Sequence, residues 1–167
     1  QKSLQRASFY LAIKEYNNQE FRKAILYFNR SIKYPVNETY TFLSKFWLSD
    51  CLYNVSNFSD AIDSYTSLPT ILSTDLSSFQ ILKKYNLAYA YYKSKDYQNS
   101  VKWYRSFLKV SNDSLKINDA LLRLADSYFM LKKYDLAFRY YQKSLANNLF
   151  DVDYALYQSS ISARLLN

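Results

Sequence analysis

Hydrophobic and polar positions recur along this chain with a long period. Ala24, Ala61, Ser100 and Ala137 mark it, at successive spacings of 37, 39 and 37 residues. Three residues before each marker stands an aromatic (Phe21, Phe58, Tyr97, Tyr134), and four after it stands another (Phe28, Tyr65, Tyr104, Tyr141). An apolar side chain follows each marker directly (Ile25, Ile62, Val101, Phe138). Thirteen residues before each marker is a leucine (Leu11, Leu48, Leu87, Leu124), followed each time by a small residue (Ala12, Ser49, Ala88, Ala125). A further aromatic lies eight before (Tyr16, Tyr53, Tyr92, Phe129).

Offsets of three, four, seven and eight fall on one face of a 3.6-residue helix. Each copy therefore predicts two amphipathic helices joined by a short polar turn, at Asn17-Asn18-Gln19, Ser56-Asn57, Ser94-Lys95-Asp96 and Lys132-Lys133. Asn, Ser and Asp in these turns can accept hydrogen bonds from the amides that open the next helix. Where two antiparallel helices cross closely, the small residue of one admits a ring of the other. Ala12, Ser49, Ala88 and Ala125 are thus expected to receive the rings at Phe28, Tyr65, Tyr104 and Tyr141 or their neighbours. The prediction is an all-α chain, a single array over residues 1–167. Its repeats fall at about 4–36, 37–74, 75–112 and 113–149, with a terminal helix at about 151–166.

Composition narrows the chemistry. The 167 residues contain no Gly and no His, one Cys (Cys51) and two prolines. Without Gly there is no Gly-dependent phosphate loop, dinucleotide fingerprint or nucleophile elbow, and tight hairpin turns are disfavoured. Without His the commonest general base and metal ligand are missing. One Cys makes neither an internal disulfide nor a thiolate cluster. No stretch reaches the roughly 18 apolar residues of a membrane helix, and the opening QKSLQRASFYLAIKEY lacks the apolar core of a secretory signal. Starting at Gln1, the chain reads as an excised segment. No cofactor or metal and no enzymatic activity are expected. Asp60 and Asp63 read as acids favourably placed at a helix start, and Cys51 as a structural thiol.

The four copies resemble the tetratricopeptide repeat. The motif stands as YLAIKEYNNQEFRKAILYF, WLSDCLYNVSNFSDAIDSY, NLAYAYYKSKDYQNSVKWY and RLADSYFMLKKYDLAFRYY. Departures are the missing turn Gly in every copy and a period longer than the usual 34 or so. Longer helices or connections are expected, especially at Leu68-Pro69-Thr70-Ile71-Leu72-Ser73-Thr74. The resemblance implies a right-handed α-α superhelix of antiparallel helix pairs, about four repeats plus a terminal helix, with a concave groove lined by first helices. The last stretch, DVDYALYQSSISARLLN, reads as one more first helix, either a cap or part of an array that continues.

By the same resemblance the function is a protein–protein interaction scaffold that holds a peptide or protein segment in the groove. Candidate groove residues are Phe9, Tyr10, Ile13, Phe46, Trp47, Asp50, Tyr85, Asn86, Tyr89, Leu122, Arg123 and Asp126. One subtype of the family grips a terminal carboxylate with Lys, Asn and Arg. Asn86 and Arg123 stand at matching places, but Phe46, Asp50 and Asp119 replace the rest, so no such clamp is expected.

Charge bears on the alternative. The formal net charge is +8, distributed as +5 over residues 1–34, −4 over 35–75, +6 over 76–112, +2 over 113–150 and −1 over 151–167. A nucleic-acid reader needs a continuous basic stripe, and the acidic second copy interrupts it. Binding of RNA or a polysaccharide through surface Tyr and Lys/Arg is the second reading. The Tyr/Asn/Lys-rich, Gly-free style resembles repeat proteins of bacteria with AT-rich genomes. Some of those proteins lie in the cell envelope, so the resemblance leaves the compartment open and favours the periplasmic side of a bacterial envelope over the cytoplasm.

Overall fold

The structure, a computed structural model, describes residues 1–69 and 76–166. Among them lie nine α-helices and no strand: α1 (Lys2–Asn17), α2 (Phe21–Lys33), α3 (Glu38–Asn54), α4 (Phe58–Thr66), α5 (Ser77–Lys93), α6 (Tyr97–Leu108), α7 (Ser114–Met130), α8 (Tyr134–Asn147) and α9 (Val152–Arg164). The helix pairs α1/α2, α3/α4, α5/α6 and α7/α8 are the four copies read from the sequence. Of the long connection expected at Leu68–Thr74, residues 70–74 lie outside the described residues.

The chain divides into two compact units, Gln1–Lys83 and Lys84–Asn167, the division falling within α5. In the first, α1 packs on α2, α2 on α3, and α3 on α4; in the second, α6 packs on α7, α7 on α8, and α8 on α9. The small-residue and ring columns are the interior of both. Ala12, Ser49, Ala88 and Ala125 have no exposed surface, and Phe28, Tyr65, Tyr104 and Tyr141 are at most 1% exposed. Each such ring removed from water stabilises its hairpin by roughly 1.5–3 kcal/mol.

The turns explain how four hairpins form without glycine. Every first helix ends with the same pair of backbone bonds. The amides of Gln19, Ser56, Lys95 and Lys132 reach back to Tyr16, Tyr53, Tyr92 and Phe129, and the next amides to Glu15, Leu52, Tyr91 and Tyr128. This is the Schellman arrangement, which needs a left-handed residue at the bend. Gln19, Ser56, Lys95 and Lys132 supply it, with φ between 59° and 65°. A ring pair spans each bend: Tyr16–Phe21, Tyr53–Phe58, Tyr92–Tyr97 and Phe129–Tyr134, with centroids 5.4 to 5.8 Å apart. The apolar contact across the turn is the stabiliser that offsets the missing glycine. Side-chain capping of the second helix occurs in the middle copies, where Asn57 and Asp96 accept from the Asp60 and Asn99 amides. In the first and fourth copies Glu20 and Lys133 occupy the cap position without such a bond.

One buried amide side chain ties each of these outer hairpins to the chain that follows. Gln5 donates to the Asn37 carbonyl (3.1 Å) and Thr41 hydroxyl (3.0 Å) and accepts from the Asn37 amide (2.8 Å). Ser31 donates to the Gln5 carbonyl. One array length later in the same column, Asn118 faces the Phe150 carbonyl and accepts from Ser144 at 3.0 Å. In the two middle copies these polar pairs are replaced by Phe42 with Leu68 and Ile81 with Phe107.

Candidate functional site

The first-helix residues singled out from the sequence fall into two sets, one in each unit. In the first unit Phe9 and Phe46 are enclosed, Phe46 completely. Phe46 packs edge-on against Tyr65 and Phe79 at 5.8 and 5.0 Å. Tyr10 is half exposed and its hydroxyl lies 3.3 Å from that of Tyr40. Ile13 and Trp47 are partly buried against the core formed by Phe9, Ala12, Ala24, Phe28 and Cys51. The Trp47 ring leans on Tyr16 at 5.0 Å. Asp50 accepts from the Tyr16 hydroxyl at 2.6 Å, from Tyr65 at 3.3 Å and from Asn54 at 3.0 Å. The first-unit surface is therefore Tyr10, Ile13, Trp47 and Asp50, with Phe9 and Phe46 behind it.

In the second unit the set is knitted by charge. Tyr85 and Tyr89, one helical turn apart on α5, both donate to the same Asp119 oxygen, at 2.7 and 2.5 Å. Arg123 lies one turn further along α7, 3.6 Å from Asp119 and 2.6 Å from Asp126. Its guanidinium also stands over the Tyr154 ring, 5.8 Å from the centroid. Asp126, 4% exposed, accepts from Tyr141 and Tyr154 at 2.7 Å each. Asn86 is half-buried. Leu122 has no exposed surface and holds α7 in place. Asp119, which the sequence marked only as a departure from the carboxylate clamp, is thus the hub of the set. A carboxylate one turn before an arginine on a helix was the available signal.

The electrostatics follow from burial and from these carboxylates. Burial first, then the Asp119 charge and its hydrogen bonds, raise Tyr85 and Tyr89 far above the ordinary tyrosine range. Burial and Asp126 do the same to Tyr141 and Tyr154. For Arg123 burial works against the charge, but Asp126, Tyr89 and Asp119 outweigh it, and its pKa is raised. All of these groups hold one protonation state through neutral pH. Cys51 is pushed up to about 12 by burial and by Asp50, so its thiol is not a nucleophile at neutral pH. Among the described residues no group of three or more His, Cys, Asp or Glu is arranged to hold a metal ion. No described helix is long and apolar enough to cross a membrane.

These hairpins, with their small-residue column and ring pairs, define an array of helical repeats. Residues 80–149 match the family model described as tetratricopeptide repeat. That match runs from within α5 to the end of α8 and its following turn. No curated protein matches it. Among solved structures it resembles the crystal structure of MamA protein, with a TM-score of 0.76 at 14% identity over 99% of this chain and 88% of that one. A MamA RS-1 ArsTM double mutant gives 0.72 at 11% identity, covering 97% and 94%. The P58(IPK) TPR domain gives 0.58 at 14% identity, over 99% of this chain and 47% of that chain. At these identities the likeness is one of fold.

Proposed function

We propose that this chain is a non-catalytic scaffold that holds a peptide or protein segment in the groove lined by its first helices. The contacts assigned to that role are Tyr10, Ile13, Trp47 and Asp50 in one unit and Tyr85, Asn86, Tyr89 and Arg123 in the other. The observation that carries the reading is the double donation of Tyr85 and Tyr89 to Asp119. It fixes two half-buried rings in place before any partner arrives. Aromatic and arginine side chains held this way give large contact area at little further entropic cost. The carboxylates of this set, Asp119 and Asp126, are engaged by tyrosines and Arg123.

The test is capture by the immobilised chain from an extract of the source cell, followed by mapping with variants. Tyr10→Ala with Trp47→Ala, and Tyr85→Phe with Tyr89→Phe, are expected to weaken capture while far-UV circular dichroism stays the same. Capture unchanged by both pairs would remove the groove from the account.

A further inference from the structure

A second surface of the Lys84–Asn167 unit carries chemistry that the groove does not use. Between α6, α7 and α8 lies a cleft of about 350 Å³ lined by Arg105, Leu108, Lys109, Ile117, Leu121, Tyr140 and Lys143. Its apolar lining comes from Leu108, Ile117 and Leu121. Its rim is cationic on both sides, with Arg105 and Lys109 from α6 and Lys143 from α8, all three exposed. A second depression continues along α6 past Lys102, Arg105 and Lys109. Those three residues stand at spacings of three and four, so they share one helix face and span about 10 Å.

The aromatic side of the cleft is built and rigid. Tyr140 stacks on Tyr128 at 5.5 Å with an interplanar angle of 21°, and Lys143 stands over Tyr140 at 4.8 Å. The Arg105 charge is felt at the Tyr128 hydroxyl, where it opposes the rise that burial causes. Among the described residues, none of Lys102, Arg105, Lys109 and Lys143 has an acid within ion-pair distance. The described ion pairs are Lys23–Glu20, Lys116–Asp113 and those of Arg123. Asp135, which is exposed, acts weakly on the Tyr128 hydroxyl and does not line the cleft. Four cations around an apolar cleft, with no acid in its lining, have their electrostatic complement outside the chain.

We propose that this α6–α8 cleft is a docking site for an acidic peptide segment of a partner protein, seated by one apolar side chain. The apolar residue enters between Leu108, Ile117 and Leu121. Carboxylates on either side of it meet Lys102, Arg105 and Lys109 along α6 and Lys143 across the cleft. An extended segment rises about 3.3 Å per residue. Acids two and three residues apart along it therefore match the cation spacing on α6. Apolar enclosure separates this ligand from nucleic acid, whose phosphates would use the rim and leave the lining exposed.

The experiment uses the whole chain and fluorescence anisotropy at moderate salt. The probe is a fluorescein-labelled peptide carrying a single Leu flanked on each side by three glutamates. Binding is expected, with the Leu→Ser peptide about tenfold weaker. Lys109→Glu with Lys143→Glu is expected to weaken the parent peptide by about tenfold or more. Arg22→Glu with Arg30→Glu lowers the net charge equally and is expected to leave binding within about twofold. Arg105→Gln gives a milder second variant, expected between the two. Equal weakening by both charge reversals would make the attraction non-local and overturn the site. Indifference to the Leu→Ser change would overturn the apolar seat. Displacement of the peptide by oligouridylate of the same charge, at equal or lower concentration, would assign the cleft to nucleic acid instead. Tyr85→Phe with Tyr89→Phe should not move this affinity, which separates the cleft from the groove.

Discussion

The Tyr141 hydroxyl donates to the Asp126 carboxylate at 2.7 Å, fifteen residues earlier on the neighbouring helix. Tyr65 and Asp50 occupy the same two columns in the second copy and form the same bond at 3.3 Å. In the first copy the columns hold Phe28 and Ile13, which need no bond. In the third they hold Tyr104 and Tyr89. Tyr89 turns to Asp119, and the buried Tyr104 hydroxyl is left without a hydrogen-bond partner among the described residues.

Removing those two hydroxyls should therefore have opposite effects. Tyr141→Phe takes a donor from a buried carboxylate and should cost about 1.5–3 kcal/mol. Tyr104→Phe removes an unsatisfied group and should be neutral or stabilising by about 1 kcal/mol. Urea midpoints followed by circular dichroism decide it; equal losses in both variants would refute the pairing.

The left-handed bends make a second test. A non-glycine residue there costs roughly 1–2 kcal/mol. Lys95→Gly and Lys132→Gly should each raise stability by about 1 kcal/mol, and the double variant by nearly the sum. Lys95→Val should lower it, because a β-branched side chain tolerates positive φ worst. Thermal midpoints rank the three.

Alkaline pH should unfold the chain early. The folded pKa values of Tyr85, Tyr89, Tyr141 and Tyr154 are raised, and that of Tyr104 is raised well above 10.0. In the unfolded chain all five titrate near 10. Below that pH the two states bind equal numbers of these protons and the contribution is constant. Above it the unfolded state binds fewer, so stability falls as pH rises toward the folded values. Tyrosinate absorbance should appear in two phases, the second coincident with loss of helical signal. A single gradual phase in a still-folded protein would contradict the burial.

Cys51 has no exposed surface and a thiol held near 12. Iodoacetamide at mildly alkaline pH should leave it unmodified in the native chain and alkylate it fully in denaturant. Mass spectrometry reads the difference directly. Rapid native labelling would mean that α3 does not pack as described.

The fold was legible because its determinants repeat. Rings such as Phe28, Tyr65, Tyr104 and Tyr141 fill one column in all four copies, and repetition separates signal from composition. The candidate site was legible only in part. Tyr85, Tyr89 and Arg123 lie together, but their organiser Asp119 occurs once, so no column announces it. Phe46 and Leu122 stand beside the partly exposed Trp47 and Arg123 in sequence yet point inward, since one residue along a helix turns the side chain by about 100°. The Gln5 and Asn118 amides were visible in principle, as polar residues in one column, each paired with a serine in another. Two of four copies is a weak pattern. The cation rim at Arg105, Lys109 and Lys143 was hidden because its members come from two helices more than thirty residues apart.

The four bends carry one more implication. Gln19, Ser56, Lys95 and Lys132 are all solvent-exposed, so each hairpin tip ends in a real side chain where the commoner glycine would offer none. These tips are chemical handles, two of them primary amines. Dyes or cross-linkers attached there would report distances between successive hairpins without disturbing a single buried ring.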